Sequence, residues 1–545
     1  MNRRCFTVTL DVQAPFLFPG VNAGRYGLDK VALRDHAGNL VLPEDQLRGV
    51  VLEAAKELLG KNDARIAWFF GTHSGDALTA TAGSFVPIST RLFFSDLKAT
   101  VNASQRPNSA FHRVRIDEET GAADGGQLVM LEQPADPASV VRFKGPLVVY
   151  ANDDELEFVQ KLLKRVFEFP TTIGSYATIG FGRIVRSKDE SVVRTTDSRQ
   201  RRDIPQSERL TWSFAIDRPY LVDADRIANN VYLGKTEIPG SVLKGALAQN
   251  LHLLGYDTKA PALSTALSKM RIGFGRYNSA EKIPFSVVHE EGSRDSKTDI
   301  CVEHPQSTDF VPVFQEDWKT EIDDAQRDTV RYDERIHTAI AHATQTANDG
   351  ELFATIAIEP NNRKFQAELD LSGVDNSSLE IILGVLSMGI DGVGKTNASI
   401  ETLDFTVRQG SEPVSPGQHN LMVVSPGLFA TFEDGASAKE AYQAFWKSVL
   451  PNSSLVNFFA RQDLRGGYQS RRFTLKDRKY RNWLMTLPQS VFRFDIHPRD
   501  CKRLDKIVAQ GLCRSALNGE TLTWKNCPFV SENGFGEIYL LGESE

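Results

Sequence analysis

Residues 225–245 read DRIANNVYLGKTEIPGSVLKG, and this stretch decides the fold because the chain repeats its pattern near the N-terminus. Residues 29–49 read DKVALRDHAGNLVLPEDQLRG. In each copy an Asp precedes a Pro by fourteen residues, and a Leu, a basic residue and a Gly follow that Pro by four, five and six. Self-similarity at a long, ordered spacing outweighs any single motif. The pattern therefore predicts two related units.

Each copy of the pattern leads into a helix that starts at a proline, Pro43 or Pro239. Around these helices both halves predict the same order of strand, helix, strands, helix and strand. A hairpin pattern also recurs, since His112 and His337 precede a turn glycine at nearly equal spacing. This order is typical of the split βαβ arrangement. We predict an α+β protein with tandem ferredoxin-like, or RRM-like, domains.

Length and the repeats set the predicted domain boundaries, because 545 residues exceed one ordinary core. The first unit is predicted at 1–205 and the second at 206–410. A polar segment at about 276–332 interrupts the second unit, either as an inserted subdomain or as a partly mobile stretch. The tail, 411–545, has no proline-initiated helix like the other two, and we predict a degenerate third unit.

Composition is that of a soluble globular chain, with 41% hydrophobic and 24% charged residues. The net charge of −7 lacks the basic excess of many nucleic-acid binders, although a local groove is compatible with it. The five cysteines are scattered, which argues against a disulfide framework or a zinc site. The N-terminus lacks the apolar core of a signal peptide, so we predict a cytoplasmic protein.

The repeated basic residues are candidates for phosphate contacts. Arg48 and Lys244 lie one turn inside the proline-initiated helices, whose N-termini attract anions. The alternative is a solvated charge on a helix face.

Gly-rich turns also recur, at Gly180–Gly182 and Gly392–Gly394, and each is followed by a cation, Arg183 or Lys395. Glycine allows close approach of an RNA backbone, so both turns are candidates for RNA binding. The alternative is an ordinary tight turn.

A competing function comes from residues 389–396, GIDGVGKT, which satisfy the P-loop pattern of NTPases. A P-loop lies between a strand and a helix, because the phosphates bind at the helix N-terminus. Here the preceding residues predict a helix and the following residues predict a strand. The context therefore argues against an NTPase.

The ordered set of motifs resembles the RAMP superfamily, the RNA-binding backbone proteins of CRISPR effector complexes. The resemblance rests on LPEDQLRG and IPGSVLKG, on FHRVRIDEETGAADGGQLVMLE and its second copy, and on IGFGRI and DGVGKT. It covers roughly residues 1–410 and is best to type III backbone subunits, most like the tandem subunit of the type III-D variant. The tail's GGYQSRRF, LPQSVFRF and NGFGE are similar to subunits that cap the guide's 5′ end.

The resemblance implies that each RRM-like sheet holds guide RNA (crRNA) along one face and that an inserted hairpin, the thumb, enters the guide–target duplex. The thumbs correspond to about 104–132 and 328–359. A loop Asp with a divalent metal such as Mg²⁺ supports cleavage of target RNA in this family, and it corresponds to Asp29 and Asp225. Implied partners are crRNA, target RNA and other effector subunits, including other RAMP backbone subunits and the large signalling subunit. The alternative is a non-catalytic subunit that binds crRNA or caps its 5′ handle.

The chemistry of these candidates is consistent with cleavage by 2′-OH attack, which needs an in-line nucleotide and charge stabilisation at the phosphate. A carboxylate is able to hold a hydrated Mg²⁺ with few other protein ligands. Asp29, beside Gly24 and Gly27, fits that role, and Asp223 is able to substitute for Asp225. The alternative for a loop Asp is a turn-former. His112 and His337 are candidates for RNA contact or acid–base roles, with packing in the hairpin as the alternative.

Overall fold

The computed structural model describes the whole chain except residues 22–26, 72–87, 101–109, 118, 187–189, 198, 278–282, 291–296, 303–309, 313–329, 341–346, 409, 411, 432–436, 468, 471–472, 474–479, 518 and 542–545. The described residues form three consecutive α+β units. No helix in this part of the chain is both long enough and apolar enough to cross a membrane.

The first unit is an antiparallel sheet with helices on one face. Its elements are β1 (Asn2–Gln13), β2 (Pro19–Gly20), β3 (Val31–Ala32), β4 (Val41–Leu42), α1 (Glu44–Leu59), α2 (Ala64–Phe70), β5 (Leu92–Phe94), β6 (Leu97–Ala99), β7 (Ala110–Ile116), β8 (Ala123–Glu132), β9 (Val140–Ala151), α3 (Asp153–Glu168), β10 (Arg183–Val185) and β11 (Val192–Thr195). The sheet path is β10–β1–β9–β6–β4. Alternate residues of β1, Phe6, Val8 and Leu10, are buried, as its apolar–polar alternation predicts.

The second unit repeats this arrangement. Its elements are β12 (Arg209–Ile216), β13 (Asp225–Ala228), β14 (Val231–Leu233), α4 (Gly240–Leu253), α5 (Pro261–Lys269), β15 (Arg271–Ile272), β16 (Arg276–Tyr277), β17 (Val287–Glu290), β18 (Lys297–Asp299), β19 (Phe310–Pro312), β20 (Tyr332–Ile340), β21 (Ala347–Ile358), β22 (Phe365–Asp370), α6 (Asn376–Met388), β23 (Ile390–Val393) and β24 (Ala398–Val407). The main sheet runs β15–β22–β12–β24–β23. The predicted α+β fold with tandem ferredoxin-like units is confirmed.

The third unit, for which the sequence predicts a degenerate RRM-like fold, contains a four-stranded sheet and two helices among its described residues. Its elements are β25 (Gly417–Val423), α7 (Ala438–Val449), β26 (Ser454–Phe459), β27 (Gln462–Arg465), β28 (Trp483–Thr486), β29 (Val491–Ile496), α8 (Cys501–Gln510), β30 (Ala516–Leu517), β31 (Glu520–Thr521) and β32 (Ile538–Leu541). The sheet order β26–β29–β25–β32 is that of the other two units. Helix α7 starts with a capping box of Ser437 and Glu440 instead of a proline, so the search for a Pro-initiated helix missed it.

Part of the open face of the first sheet, opposite its helices, is covered by the second unit. Phe93, Val148 and Tyr150 form a buried cluster with Leu253, at the C-terminal end of α4. The family resemblance implied RNA along such a sheet face, but here protein occupies this part of it. This part of the sheet is therefore inaccessible to RNA, whereas the first hairpin is exposed.

A buried polar hub joins the first two units at Asp391. Its carboxylate accepts from Arg3 at 2.8 Å, from Arg199 at 2.7 Å and from Tyr150 Oη at 2.7 Å. Burial alone would raise the pKa of the Asp391 carboxyl. The two arginines outweigh this effect and hold the pKa of the fully buried Asp391 far below its usual range. Removal of either arginine would leave part of this buried charge uncompensated, so the hub fixes the units relative to one another.

The described part of the polar segment at 276–332 forms a three-stranded sheet, β18–β17–β19. This sheet packs on the third unit, where Cys301 joins Met422 and Val491 in a buried cluster. The backbone N–H of Phe285 donates to the carbonyl of Gln489 at 3.0 Å. These contacts favour the inserted-subdomain alternative for the described residues.

Candidate functional site

Asp29 lies at the base of the first thumb hairpin, β7–β8. Its backbone N–H donates to the carbonyl of Met130 at 2.8 Å, and its Oδ2 accepts from the backbone N–H of Met130 at 2.7 Å. The next residue, Lys30, forms a parallel bridge with Leu131. Asp29 is exposed, and its Oδ1 has no partner among the residues that the structure describes. One carboxylate oxygen therefore anchors the hairpin and the other is uncommitted.

His112 lies opposite the residue that Asp29 holds, because it pairs with Met130 across the hairpin. Its side chain is exposed, as are those of its neighbours on β7. Phe111 is 36% exposed and Val114 is 46% exposed, so both apolar side chains are accessible from solvent. The structure thus brings Asp29 and His112 to opposite sides of Met130 at the base of an exposed ribbon.

A Tyr with two cations completes this surface. Lys30 Nζ lies 5.3 Å from the centroid of the Tyr176 ring, and the Arg113 guanidinium lies 5.3 Å from the same ring. Both cations are exposed, and Tyr176 is half-buried on the segment before the Gly-rich turn. An aromatic ring between cations is the combination that stacks a base and contacts its phosphate. We define Asp29, Lys30, His112, Arg113 and Tyr176 as the first-unit cluster.

In each Gly-rich turn the last glycine, Gly182 or Gly394, packs against the protein's own backbone instead of facing open space. A Cβ on Gly182 would lie 1.8 Å from the carbonyl oxygen of Ile173, and one on Gly394 would lie 2.6 Å from that of Leu221. Both glycines also have positive φ, +66° and +69°, as do Gly180 and Gly392. Close packing on the chain's own carbonyls therefore explains the repeated second glycine without RNA.

The remaining residues of these turns differ in their surroundings. Gly180 is exposed, and a Cβ on it would meet nothing within 4 Å. A Cβ on Gly392 would lie 3.0 Å from the ring of Phe93 in the first unit. Arg183 is exposed at the start of β10. Gly180 and Arg183 are therefore accessible to a ligand, whereas Gly392 contributes to the contact between units.

The second unit also has a cation–aromatic pair beside its hairpin. In this unit the cation comes from the Gly-rich turn and the aromatic ring from the neighbouring strand, the reverse of the first unit. Lys395, after the Gly-rich turn, places Nζ 5.3 Å from the ring centroid of Tyr232, which lies on β14. In the first unit the aromatic residue comes from the Gly-rich segment and Lys30 comes from the strand beside the hairpin. Lys395 is exposed. The pair is thus retained in both units although the residue types have changed places.

Asp225 does not occupy the place of Asp29. The segment that runs parallel to the second hairpin is β14, with Val231 paired to Ala354. Asp225 lies on β13, across β14 from the hairpin, and pairs with Leu233. Asp225 and Asp29 are equally far from the following proline in sequence, but the chain follows a different path in the second unit. Asn230 and Val231 are the residues that lie beside the second hairpin where Asp29 lies beside the first.

The Asp225 carboxylate is also committed to cations. Lys235 Nζ donates to its Oδ2, and Arg465 of the third unit lies 3.5 Å from its Oδ1. Arg465 also approaches Asp223 at 3.3 Å. Burial raises the pKa of Asp223, with Arg465 and Lys235 opposing the shift. This arrangement stabilises a protein contact and leaves little capacity for a metal or an RNA phosphate.

His337 on β20 contacts the first unit. Its Nδ1 lies 3.0 Å from Oδ2 of Asp45 on α1, its Nε2 lies 2.8 Å from Thr355, and its ring stacks on Phe353 at 4.9 Å. These contacts favour the alternative that His337 packs within the protein instead of contacting RNA. Among the described residues, His112 has no such contact with another unit. The two histidines match in sequence position but not in surroundings.

The same hairpin is fixed to the first unit by Arg335, which donates to both oxygens of Asp96 at 3.0 and 2.6 Å. Asp96 also accepts from the backbone N–H of Glu44 at 2.8 Å, at the N-terminus of α1. A carboxylate of the chain thus occupies the anion position that the sequence suggested for phosphate.

Arg48 and Lys244 bind helix ends in both units. Arg48 donates to the carbonyl of Phe70, the last residue of α2, at 2.8 Å. Lys244 donates to the carbonyl of Met270, which follows α5, at 2.7 Å. Burial lowers the pKa of the Lys244 ammonium to about 7. Unpaired carbonyls at a helix C-terminus favour such donors, so a shared structural role accounts for the repeated basic position.

The P-loop match at 389–396 lies in a β-hairpin of the second unit. It follows α6 directly, spans β23 and leads into β24, which is antiparallel to β23. Its Asp391 is the buried hub between units, and the backbone N–H of Lys395 donates to Leu221. A P-loop requires a helix after the glycines, so the geometry does not support an NTPase.

Metal binding by protein side chains alone has no support among the described residues, where no group of three or more His, Cys, Asp or Glu is able to hold an ion. The uncommitted Oδ1 of Asp29 fits the weaker demand of Mg²⁺, which keeps several waters and takes few protein ligands. The paired Asp225 does not fit even this demand.

Sequence reasoning missed Lys30, Arg113 and Tyr176. Lys30 directly follows Asp29, and Arg113 follows His112, so adjacency to a candidate acid and a candidate histidine was an available signal. Tyr176 precedes the Gly-rich turn without a counterpart in the second copy, and repeat-based reasoning discards such a residue.

Part of this chain is similar to known proteins in sequence. Residues 9–185 match the family model described as the RAMP superfamily. No curated protein matches the chain. A chain in the cryo-EM structure of the type III-B Cmr-beta bound to cognate target RNA and AMPPnP (state 1) aligns at 12% identity and a TM-score of 0.30, covering 52% of this chain and 86% of that one.

A chain from the structure of the type III-B Cmr-beta bound to cognate target RNA aligns at 11% identity and a TM-score of 0.23, covering 34% of this chain and 59% of that chain. The family match spans β1 to β10, and so includes the first thumb hairpin, Asp29 and the Gly-rich turn. Residues 9–185, which lie within the first unit, are therefore similar to the RAMP superfamily.

Proposed function

We propose that this protein is a subunit of a type III CRISPR effector complex that binds crRNA and positions complementary target RNA at the base of its first thumb hairpin. The match of residues 9–185 to the RAMP superfamily supports this proposal, and so does the first-unit cluster. The exposed cations supply phosphate contacts, and Tyr176 and Phe111 supply surfaces for stacked bases. Assignment to the type III-D variant stays a prediction.

The proposal extends to cleavage of the target RNA at the first unit. Asp29 offers Oδ1 to a hydrated Mg²⁺ or another divalent ion, which would supply charge stabilisation at the phosphate. Lys30 and Arg113 are close enough to the hairpin base to hold a phosphate nearby. His112, across from Met130, is the adjacent imidazole and the candidate for an acid–base role.

The single observation that carries this proposal is the double hydrogen bond between Asp29 and Met130. It ties the candidate acid directly to the hairpin that would displace a nucleotide. Cleavage by 2′-OH attack depends on that nucleotide being held in line, so a rigid link between the two parts is what the reaction requires.

We further propose one cleavage site in this chain instead of two. Asp225 lies away from the second hairpin, and Lys235 and Arg465 neutralise it. The second unit then serves to hold RNA through Lys395 and Tyr232. A wider spacing between cuts along the target would follow than in a protein with two active units.

A non-catalytic crRNA-binding subunit is the second candidate, and the Asp29–Met130 contact favours it as well. A carboxylate that caps a backbone N–H has a structural reason to be present. The two candidate functions differ in whether they need the negative charge of Asp29. Cleavage needs the charge, whereas the structural role needs only an oxygen that accepts from Met130, and the amide oxygen of an Asn also accepts that hydrogen bond.

The experiment that tests the function is reconstitution of the complex with crRNA and end-labelled complementary RNA in Mg²⁺. Wild type is compared with Asp29→Ala, Asp225→Ala and the double variant. Loss of one product band in Asp29→Ala, with RNA binding retained and no loss in Asp225→Ala, supports a single active unit. Unchanged bands in every variant would leave the scaffold function.

A further inference from the structure

We propose that the helical side of the third unit carries a second surface for the backbone of double-stranded RNA, formed by Arg499, Lys502, Arg503 and Lys506. This basic face lies on and just before α8, on the opposite side of the third sheet from the inserted subdomain. It is separate from the first-unit cluster and does not depend on Asp29, and the choice of RNA as its ligand rests on the proposed function.

The basic face is exposed and carries a net positive charge. All four side chains are exposed, and the structure records no ion pair for them among the residues that it describes. The two nearest acids in sequence are committed elsewhere. Asp500 is fully buried and accepts from Asn452 and Ser453. Asp505 accepts from the backbone N–H of Val414 at 2.7 Å.

The basic face is also an unfavourable arrangement for the folded protein alone. Lys506 lies three residues after Arg503 and four after Lys502, and like charges at these helical spacings repel. Lys502 and Arg503 lie in the first turn of α8, where the helix dipole disfavours cations. Local arrangements that cost stability without a compensating contact tend to occur at functional sites.

Phosphate is the ligand chemistry that fits. Residues 499–506 extend over about 10 Å of chain, the length over which one strand of a duplex presents about three phosphates. Two of the four cations are arginines, whose guanidinium matches phosphate oxygens bidentately. None of residues 497–510 is an exposed large apolar side chain, whereas the centre of a protein–protein interface is apolar. The observations therefore favour a nucleic-acid backbone over an acidic protein.

The test uses the full-length protein and a short labelled RNA duplex, with affinity measured across a salt series. The variant Lys502→Glu/Arg503→Glu/Lys506→Glu is compared with Lys161→Glu/Lys164→Glu/Arg165→Glu. The control changes the same number and types of side chain on the exposed face of α3, where Lys161 pairs with Glu157 and Lys164 with Glu190. Net charge is therefore identical in the two variants.

We expect the α8 variant to bind at least about tenfold more weakly at low salt, with the slope of log affinity against log salt shallower by about 2–3. The α3 control should lose less than half of that effect. Equal losses in both variants, or an unchanged slope in the α8 variant, would show an ordinary solvated helix face. Loss of another subunit from the reconstituted complex with RNA affinity intact would instead assign the face to a protein partner and overturn the proposal.

The outcome is distinguishable from failure of the proposed function. A Lys30→Gln/Arg113→Gln variant weakens RNA binding only if the first-unit cluster contacts RNA. If that variant binds normally while the α8 variant does not, the thumb assignment fails and the basic face stands.

Discussion

Asp29 Oδ2 accepts the backbone N–H of Met130 at 2.7 Å, so one carboxylate links the candidate acid to the thumb hairpin. This relationship separates a chemical role from a structural one. Asp29→Asn keeps an oxygen that accepts from Met130 but removes the charge, whereas Asp29→Ala removes both. If the carboxylate serves cleavage, both variants should lose at least about 100-fold in the rate of the first cut, with RNA binding retained in the Asn variant.

The measurement is single-turnover cleavage in the assembled complex, with RNA affinity measured in Ca²⁺ or EDTA as the control. Cleavage by Asp29→Asn at the wild-type rate would mean that the residue only positions the hairpin. Asp29→Ala should also lose about 1 kcal/mol of stability through the unpaired N–H, and Asp29→Asn should lose less.

For Asp225 we predict the opposite result, an effect on stability without an effect on cleavage. Because Lys235 and Arg465 pair with its carboxylate, Asp225→Ala should leave every cleavage product in place. The loss should appear in stability, at about 1 kcal/mol or less, since these side chains are partly exposed. Arg465→Gln should produce a similar loss. Disappearance of a product band in Asp225→Ala, with the protein folded, would contradict the single-site proposal.

The repeated basic positions and the first-unit cluster should respond differently to neutral substitution. Arg48→Met removes the donor to the carbonyl of Phe70 and should destabilise the chain by about 1–3 kcal/mol with an unchanged salt slope of RNA binding. Lys30→Gln should leave thermal stability nearly unchanged and reduce the salt slope by about 1. Thermal unfolding and salt-dependent titration separate the two effects, and an altered slope in Arg48→Met would contradict the structural role.

Much of the fold was accessible from the sequence because repetition and periodicity record it directly. The alternation in β1 and the proline-initiated α1 and α4 were predicted and are present. The first helix of the third unit was not predicted because it is capped by Ser437, whose capping box serves the same purpose as the proline. A pattern learned from two copies does not detect a third that solves the same local problem with other residues.

The candidate site was less accessible, because spacing along the chain does not fix which strands become neighbours. Asp225 matches Asp29 in distance to the following proline, yet the second unit places β14 beside the hairpin and sends Asp225 to the far side. Arg48 and Lys244 repeat because both satisfy a helix end. Repetition marks a shared physical requirement, and a structural requirement repeats as faithfully as a functional one.

Glu44 gives a prediction for pH. Burial raises the pKa of this carboxyl to about 8, with Arg218 opposing and Asp96 reinforcing the shift. In the unfolded chain a Glu titrates near 4.3, so between about pH 5 and pH 8 the folded state binds more protons than the unfolded state. Stability should therefore fall as pH rises through this window. The side chain in Glu44→Gln is neutral at every pH, so the stability of this variant should fall less than that of wild type. The melting temperature of Glu44→Gln relative to that of wild type should therefore rise from pH 5 to pH 8.

The control for this prediction is Glu57→Gln, an exposed glutamate on the same helix. It should track wild type at every pH in a thermal-shift series. Because Glu44 begins α1 beside Asp96, which holds Arg335 of the second hairpin, its ionisation also bears on that contact. Deprotonation adds a negative charge close to the Arg335–Asp96 pair, so the second hairpin should change its protection from proteolysis between pH 5 and pH 8 in wild type but not in Glu44→Gln. An identical pH profile for wild type and Glu44→Gln would show that Glu44 titrates as an ordinary exposed carboxyl.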